Sequence, residues 1–330
     1  MKILHIYRNN DGISTICYQK SDSGTSRKLV IVRVGAALVL VALVFIIIRL
    51  LPPLSPTKSL CAPSSIAVGG STALFPLINT MVQNYHQTCP DATISIKQNI
   101  ASSKAGLSTL AAGNIQIGNS DLVSSNLSLV DHPIAAVIYV MIVNQDMLQI
   151  NNLSISQIQK IYQGSITNWA SLGGSNEPIT VVNRTSTSGT RAIFEKYILE
   201  GMTPPFNPSK IVHYDEEDTS ELVAHKVAST RGAIGYVNLR DALSTENLRI
   251  VTIDGIQATP ENVKSNAYTF WTIEHIYTQI NPSDLTIAFV QYVDSNGSRW
   301  LISNLGYIPF HDIAPATLNQ HPSPIAPDGL

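Results

Sequence analysis

Charged residues are scarce in this chain. Of its 330 residues, 13% are Asp, Glu, Lys or Arg, and the net charge is −2. A nucleic-acid-binding protein normally shows a basic face, so this balance argues against that class. By contrast, 44% of the residues are hydrophobic, which is enough for the core of one large domain or two medium ones.

Motifs of catalysis and metal binding are also absent. No CxxC or Cys/His spacing indicates a metal site, and His213, His225 and His275 are not spaced as ligands. The chain has no G-x-S-x-G motif, and no histidine is placed to act as a base for Ser188. We therefore expect no metal, no cofactor and no enzymatic activity.

Cysteine is rare, and its positions are informative. Cys17 precedes a long apolar run, whereas Cys61 and Cys89 follow it. If the later part of the chain is extracytoplasmic, Cys61 and Cys89 are candidates for a disulfide. The alternative is two unpaired thiols.

The apolar run covers residues 29–51, and its charged residues, Arg33 and Arg49, lie near its ends. About 20 apolar residues span a bilayer, and arginines near the ends reach the interface. Because the basic excess precedes the run, we expect residues 1–28 to form a cytoplasmic tail. Residues 29–51 would be a single-pass anchor in the cell membrane and 52–64 a linker to an extracytoplasmic domain. A cleaved signal peptide is the alternative.

Beyond the linker, short apolar strands alternate with amphipathic helices, which predicts an α/β fold with mostly parallel sheets. Four strands each end in a turn of small polar residues. The turns are Ser71-Thr72, Ser102-Ser103, Asn119-Ser120-Asp121 and Arg184 to Thr190. Ligands of such sheets bind beyond the carboxyl ends of the strands, so the four turns together predict a site for a small oxyanion. Residues 311–330 are Pro-rich and aperiodic, and we expect a flexible tail.

The fourth turn shows the anion chemistry most clearly. It connects a strand to a helix, and the first N–H groups of a helix, with the positive end of its dipole, favour an anion. Arg184 adds a guanidinium that can bind an oxyanion at two points. The alternative is that the hydroxyl residues only cap helices and that Arg184 is an exposed residue at a strand end.

Six stretches in order resemble one known family. They are VGGSTALFPL, ASSKAGL, IQIGNSD, ITNWASLGG, NRTSTSGT and GAIGYV. The set is similar to the PstS-like family, the phosphate-binding proteins of ABC transporters in the periplasmic binding protein superfamily. The resemblance extends from about Ile66 to Phe310.

The resemblance implies a two-lobed fold in which each lobe is a mostly parallel sheet flanked by helices. Lobe I would comprise residues 65–143 and 235–310, and lobe II residues 144–234. Phosphate would bind in the cleft between the lobes. The residues that the resemblance places on the ligand are Ser71, Thr72, Ala73, Ser102, Asp121, Arg184, Ser188, Gly189 and Thr190.

The resemblance also implies a role and partners. A monomeric protein would bind inorganic phosphate outside the cytoplasm and deliver it to the permease of an ABC importer. The sequence departs from the family at two places: Ala73 stands where an aromatic residue often lies, and Lys104-Ala105 replaces a double glycine. The N-terminal tail leaves a second interpretation open, in which the same fold serves as an oxyanion sensor or an adhesion module without transport.

Asp121 predicts selectivity. A carboxylate beside an anion repels it unless the anion carries a proton to donate. Phosphate carries such a proton at neutral pH and sulfate does not, so Asp121 would reject sulfate by leaving a group unpaired. The alternative for Asp121 is a turn or helix cap.

Overall fold

A computed structural model describes residues 6–8, 14–16, 61–200, 202 and 205–326. The predicted anchor at 29–51 lies outside the described residues. Within the ranges that are described, no helix is both long and apolar enough to cross a membrane.

The chain divides into two compact units, residues 1–57 and 58–330. In the first unit, β1 (Ile6–Arg8) pairs antiparallel with β2 (Ser14–Ile16).

The second unit is built on one sheet of eleven strands. Its path runs β4-β3-β5-β12-β6-β10-β8-β9, with β11 and β13 on β6 and with β7 on β11. The strands are β3 (Ser65–Gly70), β4 (Thr93–Ile96), β5 (Ile117–Ser120), β6 (Leu129–Asn144), β7 (Asn152–Leu153), β8 (Thr180–Arg184), β9 (Tyr214–Glu217), β10 (Ala233–Asn238), β11 (Leu248–Ile253), β12 (Trp271–Gln279) and β13 (Ile308–Pro309).

Helices fill the connections between the strands. They are α1 (Phe75–Thr88), α2 (Ser103–Ala111), α3 (Ile155–Tyr162), α4 (Gly189–Tyr197), α5 (Ser220–Ser229), α6 (Leu239–Ser244), α7 (Pro260–Lys264), α8 (Asp284–Val293), α9 (Asn296–Asn304) and α10 (Pro315–Gln320). Side-chain caps start several of them. Ser102 begins α2, Ser188 begins α4 and Thr219 begins α5, each accepting a bond from a backbone N–H inside its helix.

The sheet is parallel only away from its centre. β3 is parallel to β4 and β5, and β8 is parallel to β9 and β10. At the centre, β6 runs antiparallel to β12, β10 and β11, and β12 runs antiparallel to β5. The prediction of mostly parallel strands therefore fails at the centre of the sheet. Strand direction there depends on pairing between residues far apart in sequence, and no local pattern encodes it.

Strand β6 connects the two ends of the sheet. Its early residues pair with β12, as in Trp271 with Ile138, and its late residues pair with β10, as in Ile234 with Val143. The run from Ala135 to Val143 is buried throughout, as expected of a strand covered on both faces.

The predicted disulfide is present. Cys61 and Cys89 are bonded, with their Cα atoms 5.2 Å apart and a sequence separation of 28. In the chain-entropy account, a closed loop of this length stabilises the fold by about 3–4 kcal/mol.

The expectation of a flexible tail is wrong for residues 311–326. Helix α10 is followed by His321, which is 3% exposed and lies between two rings. Its centroid is 3.9 Å from that of Tyr197 and 4.0 Å from that of Trp271, and both pairs are stacked. This segment shows no periodicity because it docks through a mixture of one stacked ring, backbone hydrogen bonds and the hydroxyls of Thr317 and Ser323.

We call residues 321–326 the C-terminal strap. The carbonyl of Pro322 accepts a hydrogen bond from the hydroxyl of Tyr197. Beyond it, the amide of Val123 donates to the carbonyl of Pro324 at 2.9 Å, and the amide of Ala326 donates to the carbonyl of Val123 at 2.7 Å. The strap thus contacts both α4 and the turn that follows β5.

Candidate anion-binding site

Arg184 is the last residue of β8 and is 1% exposed. One terminal nitrogen of its guanidinium donates to Ser220 Oγ at 3.0 Å. The other donates to the Asp218 carbonyl at 2.7 Å and to Thr72 Oγ1 at 3.3 Å. Its Nε is buried and has no hydrogen-bond partner. The bonded partners of this buried cation are therefore neutral oxygens.

Asp121 follows β5 directly and is 1% exposed. Its Oδ2 accepts a bond of 2.8 Å from Thr190 Oγ1, at the start of α4. Its backbone amide donates to Ser103 Oγ at 3.1 Å. The bonds Asp121–Thr190 and Thr72–Arg184 both join residues from the two ends of the sheet.

Gly189 is the point of closest approach between the two ends. A Cβ built on it would lie 2.2 Å from Ser103 Oγ and 2.8 Å from the Cβ of Asp121. Any side chain at this position would push the first turn of α4 away from Asp121. The free N–H groups of that turn consequently face the turn after β5 at contact distance.

Most of the remaining predicted residues make local contacts. Ser71 Oγ accepts from the amide of Ala73 at 3.2 Å, while Ser102 and Ser188 accept from amides in the helices that they cap. These residues are all buried, and so is Thr72; the group comprises Ser71, Thr72, Ala73, Ser102 and Ser188. The geometry thus gives Ser102 and Ser188 the capping role and Ser71 a local turn, and of this group only Thr72 bonds across to Arg184.

Sequence reasoning missed Ser220, which is buried and bonds to both Arg184 and Thr72. A signal was present, since Thr219-Ser220 forms a fifth turn between a strand and a helix. From sequence alone, the acidic run at residues 215–218 just before it predicts a solvated loop, whereas its first three residues belong to β9. There Glu216 pairs with Arg191 at 3.0 Å.

Sequence reasoning also missed a buried acid. Glu274 lies in the middle of β12 and is 0% exposed, and the pairing of β12 with β5, in which His275 lies opposite Ser120, places it beside Asp121. Its Oε1 accepts from the hydroxyl of Tyr139 at 3.3 Å. The segment around Glu274 has no clean alternation, and nothing in the local pattern distinguishes it.

Burial sets the electrostatics of the site. It lowers the pKa of Arg184, although the nearby Tyr236 and Asp121 favour the charged form, and an arginine stays charged in proteins at ordinary pH. Burial raises the pKa of Glu274 well above its usual value, and the adjacent charge of Asp121 raises it further. One face of the site therefore holds a cation, and the other holds two carboxyl groups that cannot both ionise easily.

The donor set suits an oxyanion that still carries a proton. A guanidinium, hydroxyls and the N–H groups of α4 can donate, and the carboxylate of Asp121 can accept. Across the described ranges, no cluster of three or more His, Cys, Asp or Glu side chains could hold a metal ion.

Comparison with known proteins agrees with this chemistry. Residues 56–296 match the family model of the PBP superfamily domain. The phosphate-binding protein PstS of Bacillus subtilis (strain 168) is 34% identical over 259 residues, which cover 76% of this chain and 83% of that protein.

Solved structures show the same fold. A substrate-binding protein of Clostridium perfringens assigned to phosphate ABC transport, solved with bound phosphate, matches with a TM-score of 0.64 and 26% identity, covering 74% of this chain and 99% of that one. An ABC-type phosphate transport receptor of Vibrio cholerae matches with a TM-score of 0.57 and 23% identity, covering 74% and 99%. The chain has the two-lobed fold of periplasmic binding proteins and belongs to the PBP superfamily, within the family of PstS phosphate-binding proteins.

Proposed function

We propose that this protein binds inorganic phosphate between its two lobes and hands it to an ABC phosphate importer. The observation that carries the proposal is Arg184, a fully buried cation bonded only to neutral oxygens. A buried charge without a counter-ion costs several kcal/mol, and an anionic ligand offsets that cost. The relatives named above are phosphate-binding proteins, which supports phosphate as that anion.

Each side of the site would have its own task. Arg184 and the N–H groups of Gly189 and Thr190 would neutralise and hold the phosphate oxygens, and Thr72 would add a hydroxyl. Asp121 would accept the proton that phosphate carries and that sulfate lacks. The remaining predicted residues, Ser71, Ala73, Ser102 and Ser188, would supply the backbone of the turns that surround the ligand.

In this proposal lobe I comprises residues 65–143 and 235–310, and lobe II comprises 144–234. The lobes would close around phosphate by a hinge motion at the two places where the chain passes from one lobe to the other, residues 143–144 and 234–235. Support comes from the two hydrogen bonds and the close approach of Gly189 that join the ends of the sheet.

We also propose that the domain works outside the cytoplasm as a monomer tethered by residues 29–51, with the permease of the importer as its partner. The disulfide between Cys61 and Cys89 supports an oxidising compartment. The length of the apolar run and the excess of basic residues before it support the tether.

Calorimetry of the purified protein with phosphate, arsenate and sulfate tests the proposal. Phosphate and arsenate should bind in the micromolar range or more tightly, about −8 kcal/mol or better, and sulfate should give no heat. Absence of phosphate binding would overturn the proposed function. Equal binding of sulfate would overturn the role given to Asp121.

A further inference from the structure

The acid side of the site contains a carboxyl that the proposed function does not use. Glu274 is fully buried in the middle of β12, where a charged side chain is expensive. No Lys or Arg forms an ion pair with it among the described residues. Its neighbours are instead Asp121 and Tyr139. A buried acid without a cationic partner is unfavourable when ionised, so its protonation state has to be explained.

The hydrogen bonds of the two carboxyls leave one proton unassigned. Thr190 donates to Oδ2 of Asp121, and Tyr139 donates to Oε1 of Glu274. The other oxygens, Asp121 Oδ1 and Glu274 Oε2, are both buried and receive no donor. Two ionised carboxylates in contact repel each other strongly, whereas one proton between them satisfies both oxygens.

We propose that Glu274 supports the anion site by holding a proton against Asp121, so that the two acids together carry a single negative charge. This inference rests on the proposed function for its consequence, which is tight binding of phosphate. Glu274 acts through Asp121 and is a positioning residue. It would fix the carboxylate of Asp121 as a pure acceptor toward the ligand and prevent a second negative charge from repelling it.

The surroundings of Glu274 favour retention of that proton. Asp121 faces it from the turn after β5, Tyr139 from β6 and Tyr307 from the turn before β13. Burial raises the pKa of Glu274 well above its usual value, and Asp121 adds to the shift. Tyr139 and Tyr307 have raised pKa values as well, so both keep their protons and stay neutral at ordinary pH.

The test compares Glu274→Gln with Glu274→Leu in the full chain. Gln can donate to Asp121 and accept from Tyr139, so phosphate affinity at pH 7 should stay within about threefold of wild type. Leu cannot donate, and affinity should fall at least tenfold while sulfate stays excluded. Equal affinities of the two variants would overturn the proposal.

The pH profile distinguishes a proton from a merely structural role. Because the wild-type pair gains a second negative charge when it loses its proton, the affinity ratio of Glu274→Gln to wild type should rise as pH rises. The titration of phosphate itself is common to both proteins and cancels in the ratio. A ratio that stays constant up to the alkaline limit of folding would count against the shared proton.

Thermal unfolding tests the proton without any ligand. The native pKa of Glu274 is raised, so the unfolded chain releases this proton first and wild-type stability is lost as pH rises above about 4.5. The melting temperature of Glu274→Gln relative to wild type should therefore increase from pH 5 to pH 9. The exposed Glu261 provides the control, since Glu261→Gln should track wild type.

The binding and melting measurements distinguish failure of the proposed function from failure of the inference about Glu274. If wild type does not bind phosphate, the proposed function is wrong, but the melting curves still decide whether Glu274 holds a proton. Parallel melting curves would overturn the inference even where phosphate binds. Where Glu274→Leu does not fold, the two pH profiles of Glu274→Gln give the answer alone.

Discussion

The two sides of the site bury charge in opposite ways. The basic side consists of Arg184, Thr72 and Ser220, and its guanidinium is bonded to neutral oxygens, while its Nε has no partner. The acid side consists of Asp121, Glu274 and Tyr139, where two carboxyl groups lie beside each other. Both sides are almost completely buried.

The difference lies in where the missing partner comes from. A carboxyl can neutralise itself by keeping a proton, whereas an arginine cannot release one at ordinary pH. In our proposal the shared proton completes the acid side without a ligand, whereas the basic side stays incomplete until an anion binds. We therefore expect Arg184 to contribute most of the binding energy and Asp121 most of the discrimination.

The largest effect is expected from Arg184→Met, which keeps the volume of the side chain and removes its charge. Phosphate affinity should fall by about 2–5 kcal/mol, or at least 30-fold, in calorimetry. The unliganded variant should melt no lower than wild type, because an uncompensated buried charge is removed. Arg191→Met is the matched control, since Arg191 already pairs with Glu195 and Glu216. An unchanged phosphate affinity of Arg184→Met would mean that Arg184 does not bind the anion.

Asp121→Asn should change selectivity more than affinity. The amide can donate to an anion that has no proton, so the preference for phosphate over sulfate should fall by about 10–100-fold. Competition of sulfate with labelled phosphate in equilibrium dialysis measures this ratio. Asp131→Asn, at a half-exposed residue that pairs with His275, serves as the control. If the Asp121 variant still excludes sulfate, then Asp121 does not distinguish phosphate from sulfate by the proton that phosphate carries.

Gly189→Ala tests how closely the two sides must approach. The added Cβ meets Ser103 Oγ, which can rotate away, and the Cβ of Asp121, which cannot. Overpacking of this kind costs about 1–3 kcal/mol, so phosphate should bind roughly tenfold more weakly. Gly297→Ala is the control, because a Cβ at that position would lie 3.7 Å from its nearest neighbour, Ser295 Oγ.

A double variant sharpens the Gly189 prediction. Adding Ser103→Ala to Gly189→Ala removes the shorter of the two clashes and leaves the one with Asp121. We expect partial recovery of phosphate affinity. Full recovery would show that the approach to Asp121 itself is not limiting.

The smallest effect is expected from Ser220→Ala. It removes one neutral hydrogen bond from Arg184 and should weaken phosphate binding by about 0.5–1.5 kcal/mol, or two- to tenfold. Ser229→Ala, at the exposed end of the same helix, should leave affinity unchanged. A loss as large as that of Arg184→Met would mean that Ser220 contacts the anion directly.

The turns of the site were predictable because their code is local. A strand, a small hydroxyl residue and a helix follow each other within a few positions, and Thr72 and Arg184 lie at such junctions, whereas Asp121 lies in a turn between two strands. The helices that start at Ser102 and Ser188 follow the same rule. Their capping geometry is fixed by residues two or three positions apart.

What sequence did not reveal depends on contacts between distant residues. Glu274 becomes part of the site because β12 pairs with β5 and β6, and that antiparallel centre has no local signature. Ser220 was obscured by the charge of the residues before it, although they form a strand. For Cys61 and Cys89, the sequence left paired and free thiols open because spacing does not give the distance between them.

The C-terminal strap connects helix α4 to the turn that contains Asp121, in addition to the contacts that the site residues make with one another. At its first residues it is fastened to Tyr197, in the helix whose first turn holds Gly189, and at its far end to Val123, two positions after Asp121. If the helix and that turn move apart, one of these fastenings must stretch or release. Any opening of the proposed site would then be transmitted to the surface at the exposed Pro322, where a reporter fluorophore would register it without touching the ligand.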